Sequence, residues 1–351
     1  MMSVRVLVVD DSVLFRTKLQ LTLTKDPDIK IIGAAINADD AMRKIIDLKP
    51  DVVTLDIEMP GVNGIEFLKK LIPQHPVPVV VVSSLPINAL DAMSAGAVDF
   101  VKKPTEATPE AASAFFDELG AKVKVAAGAK VQSGVKSAAT SLVSRISAMT
   151  SVRADSRAII AIGASTGGTE AILAVVKNLP PTTPGIVIVQ HMPASFTSLY
   201  AQRLDRVCRM SAKEASDLDR VEQGKIIVAA GEFHMTLKKD EKGYYVRSQR
   251  GEKVSGHCPS VDVLFDSVAD TAGKDAVGVI LTGMGADGAQ GITKMRGAGA
   301  YTIGQDKDSC VVYGMPMEAF KRGGIVRQLP LDRIGDEIIY YFDKKTKSEG
   351  R

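Results

Sequence analysis

Apolar and polar positions along this chain fall into two successive series of short apolar runs alternating with amphipathic segments. In the first series, runs at Arg5–Val9, Ile29–Ala35, Val52–Asp56, Val79–Ser83 and Asp99–Val101 predict strands. The segments after them carry apolar residues three and four apart, which predicts helices near Ser12–Thr24, Asp39–Leu48, Ile65–Ile72, Leu85–Ala95 and Ala107–Ala127. The second series predicts strands at Ile159–Ile162, Ile186–Val189, Lys225–Ala229, Ala276–Leu281 and Tyr301–Gly304, with a hairpin near Met235–Leu237 and Tyr244–Ser248. Strands that alternate with helices pair in parallel, because a parallel partner is reached only by a crossover. The expected fold is therefore α/β: two doubly wound parallel-sheet domains, the first flavodoxin-like and the second Rossmann-like.

Between the series, about Gly128 to Ser156 is rich in Ala, Ser, Gly and Thr, with little sustained apolar periodicity. It reads as a basic, solvated linker, giving domains at 1–127 and 157–351 with a linker at 128–156. A chain of 351 residues suits two domains, and 45% apolar with 24% charged residues is the balance of a folded chain. The longest apolar runs, such as Val77–Val82, fall far short of a membrane span, and no apolar signal region precedes the first strand. Cys208, Cys258 and Cys310 form no metal-type or CxxC pair, so reduced thiols and a cytoplasmic setting are expected. A net charge of +3 is too small to argue for nucleic acid.

The first series delivers Asp10, Asp11, Asp56, Ser83 and Lys103 to strand ends, the side of such a sheet where ligands bind. Three converging carboxylates repel one another, and a small hard cation with oxygen ligands, most simply Mg2+, relieves that repulsion. Taken singly, Asp11 could be a cap for the first helix. Val8-Val9-Asp10-Asp11-Ser12, Asp56-Ile57-Glu58-Met59-Pro60-Gly61-Val62-Asn63-Gly64, Ser83 and Lys103-Pro104 together resemble the receiver domain of two-component response regulators. That resemblance implies Asp56 as acceptor of phosphate from a histidine kinase. It implies Mg2+ held by Asp11, Asp56 and the Glu58 carbonyl within the acidic cluster, Ser83 as switch hydroxyl and Lys103 as phosphate contact.

In the second series the run Ile159–Ile162 ends in Gly163-Ala164-Ser165-Thr166-Gly167-Gly168, and a helix follows near Thr169. The spacing Gly163-x-Ser165-x-Gly167 is that of a nucleophile elbow, in which flanking glycines permit a sharp turn that presents the hydroxyl. Serine needs a base and an acid that orients it. His191 directly follows an apolar strand, whereas His75 follows a helix and His234 and His257 lie in polar loops. Asp287 lies in a glycine-rich turn after Ala276–Leu281. The order Ser, His, Asp differs from that of α/β-hydrolases, which bears on the fold family and not on the chemistry. Gly283-x-Gly285-x-x-Gly288 with Asp306 also satisfies a dinucleotide fingerprint, although not in the first βα unit of its domain, where that fingerprint belongs.

Segments Ile162–Ala171, Gln190–Pro193, Pro259–Phe265, Leu281–Gly288 and Ser309–Pro316 resemble the methylesterase domain of the chemotaxis protein-glutamate methylesterases. The resemblance implies Ser165 as nucleophile, His191 as base, Asp287 as orienting acid, and backbone N–H groups of Thr166 and Met284 as the oxyanion hole. It further implies glutamate γ-methyl esters on methyl-accepting chemotaxis receptors as substrate, methanol as product, and glutamine deamidation as a second activity. No cofactor is expected in the esterase step, and the receiver is expected to cover the esterase cleft until phosphorylated. The rival reading is a response regulator with a non-catalytic binding or scaffold output. No compact helix-turn-helix with a basic recognition helix supports a transcriptional one.

Overall fold

The computed structural model describes residues 3–104, 108–131 and 157–349, so from residue 132 onward the expected linker lies outside the described residues. The chain divides into two compact units, Met1–Lys136 and Ser137–Arg351.

The first unit runs β1 (Val4–Val9), α1 (Val13–Leu23), β2 (Ile29–Ala35), α2 (Ala38–Leu48), β3 (Val52–Asp56), α3 (Gly64–Gln74), β4 (Val79–Ser83), α4 (Pro86–Ser94), β5 (Asp99–Lys102) and α5 (Pro109–Ala126). The sheet order is β2-β1-β3-β4-β5, every pair parallel. Strands β3 and β4 are buried along their whole length, which is why they read as unbroken apolar runs. Helix starts are set by side-chain caps: Ser12 accepts from Phe15 N, Asn37 from Asp40 N, Asn63 from Glu66 N and Thr108 from Ala111 N. The first cap is thus Ser12 and not Asp11, whose side chain stays exposed.

The second unit runs β6 (Ile159–Ala164), α6 (Gly168–Val176), β7 (Gly185–Gln190), α7 (Ala194–Val207), β8 (Ser211–Glu214), β9 (Lys225–Val228), β10 (Phe233–Asp240), β11 (Gly243–Arg250), α8 (Val261–Thr271), β12 (Ala276–Ile280), α9 (Ala289–Gly297), β13 (Tyr301–Gln305), α10 (Met315–Lys321), β14 (Arg327–Leu329) and α11 (Leu331–Glu349). Seven strands form a parallel sheet in the order β14-β13-β12-β6-β7-β9-β8. Strands β10 and β11 make a separate antiparallel hairpin whose Met235, Leu237 and Val246 join Val261, Leu264 and Phe265 of α8 in one buried cluster. Central β6 pairs β7 on one side and β12 on the other, so the chain reverses its winding direction there and opens a crevice at the carboxyl edge.

Two edge strands, β8 and β14, escape the hydrophobic pattern. The first, Ser211-Ala212-Lys213-Glu214, is half exposed, and the second has three residues. The elbow also differs from expectation at one glycine. Gly167 has φ +75° and opens α6, but Gly163 is an ordinary strand residue. A Cβ on Gly163 would stand 2.2 Å from Val261 Cγ1, so its role is to let α8 pack closely on β6.

Candidate active site

Ser165 leaves β6 held at both backbone ends. Its N–H donates to the Thr282 carbonyl at 3.0 Å, and its carbonyl accepts from Gly168 N at 2.7 Å and from Gln190 Nε2 at 2.8 Å. His191 follows the adjacent strand β7, its N–H donating to the Ala164 carbonyl at 3.1 Å. Asp287 sits after β12 beside Gly288, whose φ of +88° starts α9. His191 Nε2 lies 2.8 Å from Asp287 Oδ2, with the imidazole side chain only 7% exposed.

The Asp287 carboxylate lies at the start of α8. It accepts Ser260 Oγ–H at 2.7 Å, Asp262 N–H at 2.9 Å and Val261 N–H at 2.9 Å. Helix N-terminal N–H groups favour an anion. Burial pushes this carboxyl up, but His191, the backbone and Ser260 outweigh it and hold it below the ordinary carboxylate value. An anionic Asp287 only accepts, so Nε2 of His191 donates to it, and in the neutral imidazole Nδ1 then keeps the lone pair. Nδ1 is buried and has no hydrogen-bond partner among the described residues.

Thr166 is buried beside the serine, and its carbonyl accepts Thr282 Oγ–H at 3.0 Å. Met284 is 54% exposed on the neighbouring turn. That turn lies close to Ser165, since a Cβ on Gly283 would stand 2.7 Å from its Cβ. Three supports carry no role in the sequence reading. Gln190 bonds the Ser165 and His191 carbonyls together, Thr282 ties Thr166 to Val312, and Ser260 holds Asp287. A glutamine ending an apolar strand was a legible signal; the other two depend on long-range pairing.

His234 and His257 are not idle in polar loops. His234 belongs to β10 and its Nδ1 accepts Ser260 N–H at 3.3 Å, while the His257 ring stacks on His191 with centroids 3.7 Å apart. The residues of the dinucleotide fingerprint have local structural roles. A Cβ on Gly288 would lie 2.5 Å from Val261 Cγ1, and Asp306 caps its own loop by accepting from Ser309 N and Oγ. Cys310 is buried.

At the first unit's sheet edge, oxygens of Asp10, Asp11 and Asp56 lie within 4.8 Å of one another. Lys103 Nζ bonds Asp10 Oδ2 at 3.1 Å and Asp56 Oδ2 at 2.6 Å, and Glu58 N–H donates to Asp56 Oδ1 at 3.1 Å. Burial raises the Asp10 carboxyl, Lys103 opposes this and Asp56 adds to it, leaving it above the ordinary value. Burial lowers the Lys103 ammonium, but the two carboxylates prevail and raise it. An all-oxygen donor set with surplus negative charge fits a small hard cation. Ser83 stands one residue past the Asp56–Val82 pair, with its hydroxyl donating to the Leu85 carbonyl and accepting from Leu85 N. Phe15 of α1, unnoticed in the sequence, lies 4.5 Å beneath Lys103 Nζ.

A family model described as CheB methylesterase matches residues 160–338, and one described as response regulator receiver domain matches residues 6–111. A protein-glutamate methylesterase/protein-glutamine glutaminase of Syntrophomonas wolfei is 50% identical over 95% of this chain and 96% of its own. Its namesake in Syntrophotalea carbinolica is 47% identical over 96% of this chain and 97% of its own. The Thermotoga maritima CheB methylesterase catalytic domain superposes with a TM-score of 0.51 at 37% identity, covering 52% of this chain and 98% of that structure. With both units matched and the relatives spanning nearly the whole length, the chain belongs to the CheB methylesterase family, with a response-regulator receiver domain ahead of the catalytic domain.

Proposed function

We propose that this protein hydrolyses glutamate γ-methyl esters on methyl-accepting chemotaxis receptors, and deamidates receptor glutamines, under control of phosphorylation at Asp56. The observation that carries the hydrolase reading is the buried His191–Asp287 pair, its Nδ1 unpartnered, at the end of the strand that pairs with the one leading to Ser165. Ser165 Oγ attacks the ester carbonyl as Nδ1 takes its proton, and the imidazolium is stabilised by Asp287 through Nε2–H. Backbone N–H groups of Thr166 and Met284 receive the developing oxyanion. Protonated His191 returns the proton to methoxide, methanol leaves, and water hydrolyses the acyl-enzyme by the same relay. A glutamine side chain follows the same path with ammonia leaving. No cofactor enters these steps.

In the receiver, Asp56 accepts the phosphoryl group from a chemotaxis histidine kinase, Lys103 contacts its oxygens and Ser83 reports its presence. Asp10, Asp11, Asp56 and the Glu58 carbonyl would hold Mg2+, which when bound neutralises the acidic cluster and the incoming phosphoryl charge. The receiver restrains the esterase until phosphorylated, a change that a few kcal/mol of differential contact can drive. No helix of the described residues is long and apolar enough to cross a membrane. Ser165→Ala should abolish methanol release from methylated receptor membranes while Asp56 still takes phosphate. Persisting release would remove Ser165 from the mechanism. Deleting residues 1–128 should raise basal release, and unchanged or lower release would remove the restraint.

A further inference from the structure

Four residues ahead of α8 form a tight turn that nothing in the triad accounts for. Val254 and His257 exchange both backbone hydrogen bonds, at 3.0 and 2.9 Å, across Ser255 and Gly256. Those two residues have φ of +53° and +83°, the left-handed pair of a type I′ turn. Ser255 Oγ reaches Asp262 Oδ2 at 3.3 Å, tying the turn to the helix start that holds Asp287. The product of this construction is one side-chain placement: the His257 ring lies 3.7 Å from the His191 ring at an interplanar angle of 10°, face to face.

We infer that His257 is a positioning residue for hydrolysis, acting through His191 by covering its ring face and stabilising the imidazolium formed in each half of the reaction. This rests on His191 being the base, as proposed above. The bond to Asp287 holds Nε2 at one point and does not by itself fix the ring plane, so a small rotation of the imidazole would re-aim Nδ1. A parallel ring at van der Waals distance blocks that rotation. It also shields the ring face from water, in keeping with the low exposure of His191. When His191 takes the serine proton, the neutral ring of His257 presents its electron-rich face to the new cation, an attraction that strengthens where water is excluded. The stabilisation is larger for the charged than for the neutral base, so it acts on turnover and not on substrate binding.

The test uses the full-length protein, phosphorylated with a small phosphodonor, and methanol release from receptor membranes carrying labelled methyl groups. His257→Ala should lower kcat about tenfold with KM within about twofold, as expected for loss of a desolvated cation–π contact. His257→Phe should recover most of the loss, whereas His257→Leu, similar in bulk but without a π face, should not. Unchanged kcat in the Ala variant, a loss confined to KM, or equal recovery by Leu and Phe would overturn the inference. If the Ala variant does not fold by circular dichroism, the Phe–Leu comparison decides. His191→Ala, assayed in parallel, separates the two levels. Release surviving that change would overturn the triad and this role with it. Release lost there but unaffected in His257→Ala overturns the stack alone.

Discussion

At the receiver's sheet edge the functional groups hold one another: Lys103 bonds two carboxylates at once, and Asp11 stands exposed beside them. At the catalytic edge the surrounding backbone holds them. Asp287 accepts two helix N–H groups and a hydroxyl besides His191, and Ser165 is fixed at its own N–H and carbonyl. Both edges lie at the carboxyl ends of parallel strands, so the difference fits the two tasks proposed for them. A cluster that takes up an ion and a phosphoryl group must be able to exchange partners. A proton relay gains from partners that cannot move, because reorganisation during reaction adds to the barrier.

The contrast breaks most severely at Asp287→Asn. An amide cannot accept from His191, Ser260 and both backbone N–H groups with its two ends, and it leaves the ring proton unassigned. Methanol release should fall by about 10⁴-fold, while phosphate incorporation at Asp56 is unaffected. A loss under tenfold would mean the carboxylate is not orienting the base.

The βα alternation of both units was legible because buried parallel strands are written as apolar runs, and the proposed site residues were picked out because they sit just past the ends of those runs. Edge strands β8 and β14 were not, since half-exposed strands carry no apolar run. Gly163 was read as a turn residue because local spacing cannot reveal that Val261, distant in sequence, needs the space its side chain would fill. Ser260 and His257 were invisible for the same reason: their roles exist only once α8 and its preceding turn are brought against the strand ends. Spacing along one element is local, and the supports of the site are not.

On the receiver side, Lys103→Met leaves Asp10 and Asp56 buried without their shared cation. Phosphorylation by a small donor should slow on the order of 10²-fold, the usual cost of losing one charge-stabilising group. Basal methanol release should stay the same. Added Mg2+ should raise the Tm of this variant more than that of the parent protein, because the ion then supplies the missing charge. An equal rise in both would show that Lys103 and the ion do not share the cluster. The matching change on the catalytic side is milder. Ser260→Ala removes one donor of three from protein groups other than His191, and kcat should fall about tenfold, the worth of a hydrogen bond to a charged group. An unchanged kcat would assign the fixation of Asp287 to the backbone alone.

The smallest effect separates the two units by pH. Asp287 is held below the ordinary carboxyl value of 3.8, so its contribution to stability is fully present above that value and is lost as pH falls through its folded one. In the receiver, Lys122 of α5 bonds Asp99 at 3.1 Å, Glu118 at 2.9 Å and the Phe100 carbonyl at 2.6 Å. Burial lowers this ammonium, but Asp99 and Glu118 outweigh it and raise it above the ordinary lysine value of 10.5. Its contribution runs the other way: it is fully present below that ordinary value and lost as pH rises through the folded one. Hydrogen exchange followed separately in the two sheets should therefore show the catalytic unit loosening first in acid and the receiver first in alkali. Asp287→Asn should flatten the acid limb of the catalytic sheet only, and Lys122→Met the alkaline limb of the receiver only. If either substitution flattens both limbs, the two units are not titrating through their own buried pairs.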